Sequence, residues 1–476
     1  VQVQEHDSGC VLRVPFPAKA LSASKALTPV FRRLQIQGWG SIDELAPLVP
    51  GLSARSLKRF LYELEKRGFV SVGGSDLPDP VPSVCVIIPV RNRPKELRDC
   101  LNSLAKLDFP SEKLQIMVID DASDDPAAAA AMKYPVSLHR MPQRRGASAC
   151  RNWGAKRSDA DIIAFLDSDC AAAPDWIKEL LPAFCDLGAA AAGGLVDSMY
   201  ESTALDRYEK VKSSLLVGLH STDSNLAGRF FYVPSCNLAV LRETFLEVGG
   251  FNEDMEVGED VDLCWRLIDG GHKIEYRPSA KVLHRHRNRL GPFCVRRFEY
   301  GTSEPMLQAR HPSRRKEFVI RLMTLAFWCL GAAAIAAGSW AVGVGALATA
   351  ALDAVFRSAK CRRAAAAVPF GWIAAAVFRS YLAFFYHCCA FVSRYYLIWA
   401  AVFCVLAPWA ASALFACHLV AGVSEFFVKR PRVNLFAFLA LFTLEQLSYQ
   451  AGVWYGCVRR FFFAPVLPRI SMSGPR

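Results

Sequence analysis

Three acidic stretches are the parts of this chain best equipped to do chemistry. Val118-Ile119-Asp120-Asp121-Ala122-Ser123-Asp124-Asp125 sets carboxylates just past an apolar run, and Phe165-Leu166-Asp167-Ser168-Asp169 does so again. An Asp-X-Asp that follows a buried strand can hold a hard divalent cation such as Mg or Mn, which prefers oxygen ligands and bridges phosphates. Between them, Arg145-Gly146-Ala147-Ser148-Ala149-Cys150-Arg151-Asn152-Trp153-Gly154 reads as a basic, glycine-containing start of a helix, suited to anionic groups. Further on, Gly258-Glu259-Asp260-Val261-Asp262 puts adjacent carboxylates at the start of another helix. Taken singly these have plainer readings: a solvated turn, a chance pairing, an acidic first helical turn.

The elements that must position these residues alternate. Val84-Cys85-Val86-Ile87-Ile88-Pro89 is a nearly continuous apolar run, as a parallel strand covered on both faces requires. Pro94–Leu107 reads as a helix, and Leu114–Ile119 and Ile162–Leu166 as further buried strands. This rhythm predicts an α/β sheet with ligands at the carboxyl ends of its strands. Upstream, Ser24–Gln37, Ser41–Leu48 (with Ser41 and Glu44 as a capping box) and Ser53–Arg67 read as helices. Phe69-Val70-Ser71-Val72 reads as a strand after them, which together makes a small winged-helix-like α+β module. A linker follows from Gly73 to Pro80. The expected organisation is a module over 1–79, an α/β domain over 81–310 and an apolar helical region over 318–476.

Composition divides the same way. The chain has 476 residues, 53% of them hydrophobic and 21% charged, which fits a soluble part joined to a membrane part. The net charge of +12 resides almost wholly in the tail: from Phe318 onward fourteen Lys and Arg face only Asp353, Glu425 and Glu445. Its basic residues sit between apolar runs, as Lys and Arg flank membrane segments on the cytoplasmic side. A nucleic-acid partner is not expected, because the soluble part is nearly neutral. Leu322–Leu352 is uncharged and too long for one simple crossing, so two short helices hinged near Gly338 are expected. Ala364–Phe378 and Tyr395–Ser424 are further apolar stretches, whereas Val433–Val458, with Glu445, Gln446 and Gln450, suits the interface as well as a span. The 16 cysteines include no CxxC, so zinc ribbons are excluded and reduced thiols expected. No apolar run opens the chain, so no secretory signal is expected.

Later motifs complete a pattern. VCVIIPVRN, VIDDASDD, RNWGA, FLDSDC, CNLAVLRETFLEVGGF, GEDVDLCWRL and PSAKVLH follow in that order. In this the chain resembles the family 2 glycosyltransferases, whose catalytic domain has the Rossmann-like GT-A fold. The resemblance implies that the backbone near Pro89 and Asn92 grips the nucleoside of a nucleotide-sugar donor, with either Asp120 or Asp121 on the base. It implies Asp169 as ligand of Mg or Mn, Asp167 on the ribose or in the metal shell, and His284 as a metal-proximal histidine, with His286 its competitor. Arg151 would bind the donor, and Cys236, Asn237 and Trp265 would line the acceptor side. Asp260 would be the general base, because a sugar hydroxyl needs a carboxylate to take its proton as it attacks. Glu259 would raise that base's pKa by like charge. A single displacement would invert the anomeric centre.

There are departures. The family often has Tyr where this chain has Arg91. The Gln-x-x-Arg-Trp segment of processive members has only Cys294-Val295-Arg296-Arg297-Phe298 as its nearest match. Arg297 would serve the diphosphate and Phe298 a sugar, but the missing Gln favours short products over a long polymer. More narrowly, with its N-terminal helix-helix-strand module, Arg296-Arg297-Phe298-Glu299-Tyr300-Gly301-Thr302-Ser303, Arg310-His311-Pro312 and the tail Leu447-Ser448-Tyr449-Gln450-Ala451-Gly452-Val453-Trp454-Tyr455-Gly456-Cys457, the chain is similar to the glycosyltransferases of mycofactocin biosynthesis, in which a PqqD-like peptide-binding module precedes the catalytic domain and apolar segments follow. That implies glucose added successively, in β linkage, from UDP-glucose to a peptide-derived redox cofactor at the cell membrane. The catalytic domain would face the cytoplasm, with precursor peptide a partner of the N-terminal module. The alternatives are a family 2 transferase acting on a lipid or surface polysaccharide, and a non-catalytic membrane-anchored binding protein that would leave the carboxylates idle.

Overall fold

The computed structural model describes residues 2–6, 9–14, 19–74, 76–124, 131, 133–363 and 368–472. Ser75, Asp125 and residues 364–367 of the expected Ala364–Phe378 helix lie outside the described residues. The chain divides into two compact units, the first running essentially through Phe293 and the second from Cys294 onward.

The first unit opens with strands β1 (Gln2–His6), β2 (Gly9–Val14) and β3 (Lys19–Ser24), a three-stranded sheet that was not legible as such. Helices α1 (Thr28–Gln37), α2 (Ile42–Leu45) and α3 (Ala54–Lys66) follow close to expectation. Ser41 and Glu44 form the capping box, Ser53 caps α3, and Gly38, with φ +79°, ends α1 in a conformation only glycine adopts freely. Leu57, Leu61 and Leu64 give α3 its buried stripe. Phe69–Val72 is not a strand. Instead the Phe69 N–H returns to the Leu64 carbonyl and the Val72 N–H donates to the Glu65 carboxylate at 2.7 Å. The strands of the module therefore precede its helices, the reverse of the expected order.

The main sheet contains β4 (Val84–Val90), β5 (Leu114–Asp120), β6 (Ser137–Arg140), β7 (Ile162–Phe165), β8 (Cys170–Ala172), β9 (Ala191–Ser198), β10 (Thr222–Asp223), β11 (Leu238–Leu241) and β12 (Ile274–His284). Their order is β10-β12-β9-β11-β7-β4-β5-β6, with β8 pairing β12. Neighbours β7, β4, β5 and β6 run parallel, while β11 is antiparallel to both β7 and β9, so the sheet is mixed. Alternation along β4 explains why its whole run is apolar. Val84, Val86 and Ile88 enter one core with Trp176 and Leu180, and Cys85 and Ile87 enter the other with Phe245 and Phe251. Helices α4 (Pro94–Leu104), α5 (Ala147–Arg157), α6 (Trp176–Cys185), α7 (Ala204–Lys212), α8 (Arg242–Glu247) and α9 (Glu259–Asp269) supply the rest. Strand β12 bulges between Arg277 and Val282 against β9. Gly194 makes room for this, since a Cβ there would lie 1.8 Å from the Ala280 carbonyl oxygen.

The N-terminal helices are fastened to this sheet by charge. The ammonium of Lys66 on α3 lies 2.8 Å from Glu63, 2.8 Å from Asp223 on β10 and 2.6 Å from Glu275 on β12, and Lys273 adds a contact to Glu275 at 2.7 Å. Lys58 meets Asp186 at 3.1 Å, and the Arg277 guanidinium lies over the Tyr62 ring at 4.5 Å.

The second unit is helical, with α10 (Leu290–Arg310) leading into it. The other helices are α11 (Leu322–Ala337), α12 (Trp340–Arg363), α13 (Phe370–Tyr395), α14 (Ala400–Leu406), α15 (Pro408–Lys429) and α16 (Leu435–Arg460). The expected break falls at Gly338, which ends α11 with φ +59°. The Tyr395–Ser424 run is broken rather than continuous, because Pro408 starts a new helix. Trp340–Arg362, Phe370–Tyr395 and Pro408–Lys429 are long and apolar enough to cross a membrane. Helix α16 buries Glu445, Gln446 and Gln450, and Arg394 on α13 reaches both Glu445 and Gln446 at 3.4 Å. Backbones of α10 and α16 touch: a Cβ on Gly301 would lie 2.1 Å from the Tyr449 carbonyl, and one on Gly452 2.0 Å from that of Phe298.

Candidate active site

The strand ends β5, β7 and β12 and the N-termini of α5 and α9 converge on one cluster of charge. Asp120 ends β5 and is buried. One of its oxygens accepts from the Ser123 N–H at 3.0 Å and from the Ser123 hydroxyl, and Arg140 stands 3.8 Å from the other. Asp121 turns the opposite way. Its two oxygens accept from the backbone N–H groups of Arg145, at 2.7 Å, and Gly146, at 3.0 Å, which fixes the start of α5. Asn92, at φ +53° just past β4, exchanges amide hydrogen bonds with Asp124 at 2.8 and 2.9 Å. Pro89 is buried within β4 opposite Ile119.

Arg151 is the organiser. Helix α5 carries it inward, where it is almost fully buried. Its guanidinium donates to Asp167 at 2.6 Å and to Glu259 at 3.1 Å, above the Phe251 ring at 5.2 Å. Burial disfavours its charge, but the two carboxylates outweigh that and raise its pKa further. Asn152, the next residue, holds the Gly249-Gly250-Phe251 turn through the Phe251 N–H and carbonyl, both at 2.8 Å. No motif in the sequence announced that Arg151 would bridge two acids 92 positions apart. The cue was only its place in a basic helix start.

Glu259 and Asp260 begin α9 after Gly258, which has φ +82°. Asp260 accepts from the Val261 N–H at 2.8 Å and the Ser235 N–H at 3.4 Å, while the Ser235 hydroxyl donates to Glu259 at 3.4 Å. Desolvation first, and the Glu259 charge second, push the Asp260 carboxyl up to about 7. A carboxylate so placed can take a proton near neutral pH.

Asp169 is buried, and its oxygens meet Arg93 by a short hydrogen bond, the His284 imidazole at 3.5 Å and Arg287 at 4.0 Å. Burial alone would raise its pKa, but these charges hold it below the usual carboxylate range. His284, not His286, reaches Asp169. His286 sits 4.8 Å behind it, ring to ring, with Glu209 3.6 Å away. Arg93 and Ser235 were missed by sequence reasoning, since neither belongs to an acidic or histidine motif.

One grouping among the described residues near this cluster suits a metal ion. Asp169, Cys170 and His284 each offer a ligand atom, all within 4.8 Å of one another. The His284 Nδ1 is buried with no hydrogen-bond partner. The donors fit a divalent cation, though Asp167 is drawn to Arg151 and stands outside the grouping.

Other expected contacts are spent elsewhere. Asn237 is fully buried: its oxygen accepts from the Trp176 indole at 2.7 Å, and its amide donates to the Leu195 and Ala280 carbonyls at 3.1 and 2.9 Å. It ties β9, β12 and α6 together and has nothing left for an acceptor. Cys236 is likewise buried in the core under β7. Trp265 is buried on α9 with the Phe230 ring 6.3 Å away. Arg297 and Phe298 belong to the helical unit, where Arg297 lies 3.8 Å from Glu445 and Phe298 is 5.7 Å from the Tyr455 ring.

The model of the family described as "Glycosyl transferase family 2" matches residues 85–248. The pre-mycofactocin glycosyltransferase of Mycobacterium tuberculosis is 31% identical over 400 residues, covering 81% of this chain and 82% of its own length. Glycosyltransferase AglE of Haloferax volcanii is 26% identical over 47% of this chain and 73% of its own. Among solved structures, the mannosyltransferase PcManGT of Pyrobaculum calidifontis, in complex with GDP-Man and Mn2+, covers 68% of this chain and 96% of its own. Its identity is 21% and its TM-score 0.39, a likeness too slight to bear on function.

Proposed function

The chain belongs to the pre-mycofactocin glycosyltransferases of glycosyl transferase family 2, with a GT-A-like α/β domain on a mixed sheet and a C-terminal helical region, and from that premise we propose its reaction. It transfers glucose from UDP-glucose, with inversion, to a peptide-derived redox cofactor precursor, and repeats the step to build a short β-linked oligosaccharide. The observation that carries this reading is the site's pairing of roles: Asp260, pushed up to about 7, stands beside the Arg151-bridged acids Asp167 and Glu259.

In the proposed step Asp260 takes the proton of an acceptor hydroxyl. The oxygen forms a bond to the anomeric carbon as that carbon's bond to the diphosphate oxygen breaks, and UDP leaves with the electron pair. Asp169 and His284 would hold Mg or Mn, which when bound supplies positive charge to the diphosphate. Arg93 and Arg287, already facing Asp169, line the same side. Arg151 keeps Asp167 and Glu259 fixed before substrates arrive, so little reorganisation is needed at the moment of reaction. Asp120 contacts the uracil; Asp121 acts through the loop it holds rather than directly. The three apolar helices would place the enzyme at the cell membrane, with the catalytic domain on the cytoplasmic side, and they equally favour a second reading in which the acceptor is a lipid. The N-terminal module would receive the precursor peptide.

The test is incubation of the detergent-solubilised chain with Mn2+, UDP- and GDP-sugars and the deglycosylated mycofactocin precursor, with products read by mass. A hexose ladder from UDP-glucose is expected, and Asp260→Asn should bind donor yet form none. A lipid-linked product with no ladder would move the reading to the second acceptor. Wild-type turnover in Asp260→Asn would remove Asp260 from the base role.

A further inference from the structure

The Asp-X-Asp run is followed at once by Cys170, and the fold gives that cysteine an unusual neighbour. Strand β8 runs antiparallel to β12 with Cys170 directly opposite His284, so the two side chains share one face of the sheet. The thiol, the imidazole and the Asp169 carboxylate then offer ligand atoms within 4.8 Å of each other. The thiol is buried in the sheet core, beside Cys236 on one side and the His284 strand on the other.

We propose that Cys170 is a third protein donor to the cation at Asp169 and His284, and that its sulfur tunes this site toward borderline divalent metals such as Zn2+ and Cd2+. The inference rests on the reading of that grouping as the metal site. Its chemistry follows from the donor set. Oxygen ligands alone suit Mg2+ and Mn2+, whereas sulfur, nitrogen and oxygen donors are all zinc ligands, and three protein ligands with a fourth position open is the coordination of catalytic zinc. Binding through sulfur displaces the thiol proton to solvent, leaving the thiolate as ligand. The site would then take Zn2+ more tightly than Mn2+. Zinc would compete with the activating ion.

Cobalt titration of the full-length, detergent-solubilised chain tests this without reference to turnover, because a thiolate on Co2+ gives an intense near-ultraviolet charge-transfer band. The band is expected in the wild-type chain and in Cys236→Ser, and lost in Cys170→Ser. No band in the wild type, or a band that survives in Cys170→Ser, would overturn the proposal. Should Cys170→Ser fail to fold, cadmium NMR on the wild-type chain decides the same question: a resonance displaced downfield by sulfur supports the donor, and one in the oxygen–nitrogen range refutes it. Manganese-supported transfer by the wild-type chain is measured alongside, so loss of the glucosyltransferase reading is told apart from loss of the sulfur ligand.

Discussion

The acid limb of the rate profile should belong to Asp260, and Glu259→Gln should move it. The carboxyl of Asp260 is raised from 3.8 to about 7, with desolvation the larger cause and the charge of Glu259 the second. Ser235 touches both carboxylates at 3.4 Å. Two like charges roughly 5–7 Å apart at an effective dielectric of about 20 repel by on the order of 3 kcal/mol, or about two pH units. The Val261 and Ser235 N–H groups, and Arg151 3.1 Å from Glu259, work against that rise. Removing the charge should therefore lower the Asp260 pKa by about one unit. A base works only when deprotonated, so wild-type kcat/KM should rise through about pH 7 and level off above it. In Glu259→Gln the same rise should come about one unit lower, with a smaller plateau because Arg151 has lost a partner. UDP release, followed from pH 5 to pH 9, gives both profiles. An acid limb that stays in place, or moves upward, would refute this assignment of base and neighbour.

Further outcomes follow from the same contacts. Asp169→Ala should lose Mn2+-dependent donor affinity, read by UDP titration calorimetry with and without the ion; unchanged binding would count against the Asp169 role. Lys66→Met leaves Asp223 and Glu275 with only the partly exposed Lys273 as a cation, and should cost about 2–4 kcal/mol in chemical denaturation, more than an exposed lysine would. Gly452→Val forces a side chain against the Phe298 carbonyl, so α10 and α16 must separate; thermal stability of the detergent-solubilised chain should fall clearly, while Gly371→Ala, in open space, should leave it nearly unchanged.

The parts of the fold that read cleanly from the chain were those governed by local rules. The buried run of β4, the capping box at Ser41 and the stop at Gly338 each follow from a few adjacent residues. The N-terminal strands escaped because Gln2–His6 and Lys19–Ser24 are polar and show no strong alternation. The acids of the site were visible because strand ends and helix starts mark where ligands sit. Their partners were not: Arg93, Ser235 and the Arg151 bridge depend on which strand ends the sheet order makes adjacent. Asn237 misled for the same reason. It lies in a motif beside the site, yet its amide faces the Leu195 and Ala280 carbonyls of the sheet.

Composition marks the stretch from Gly73 to Pro80 as a place to cut, but the contacts across it say otherwise. A chain started at residue 81 would bare Asp223 and Glu275 at one edge of the sheet and uncover the guanidinium of Arg277. Lys273 and Glu179 meet part of that charge from within the sheet domain, and α3 supplies the rest with Lys66 and Tyr62. Losing the N-terminal segment as a cassette would therefore strip this sheet edge of part of its charge pairing. The catalytic half has grown dependent on its neighbour, and the smallest heritable piece of this enzyme that keeps its charges paired begins well before its first active-site strand.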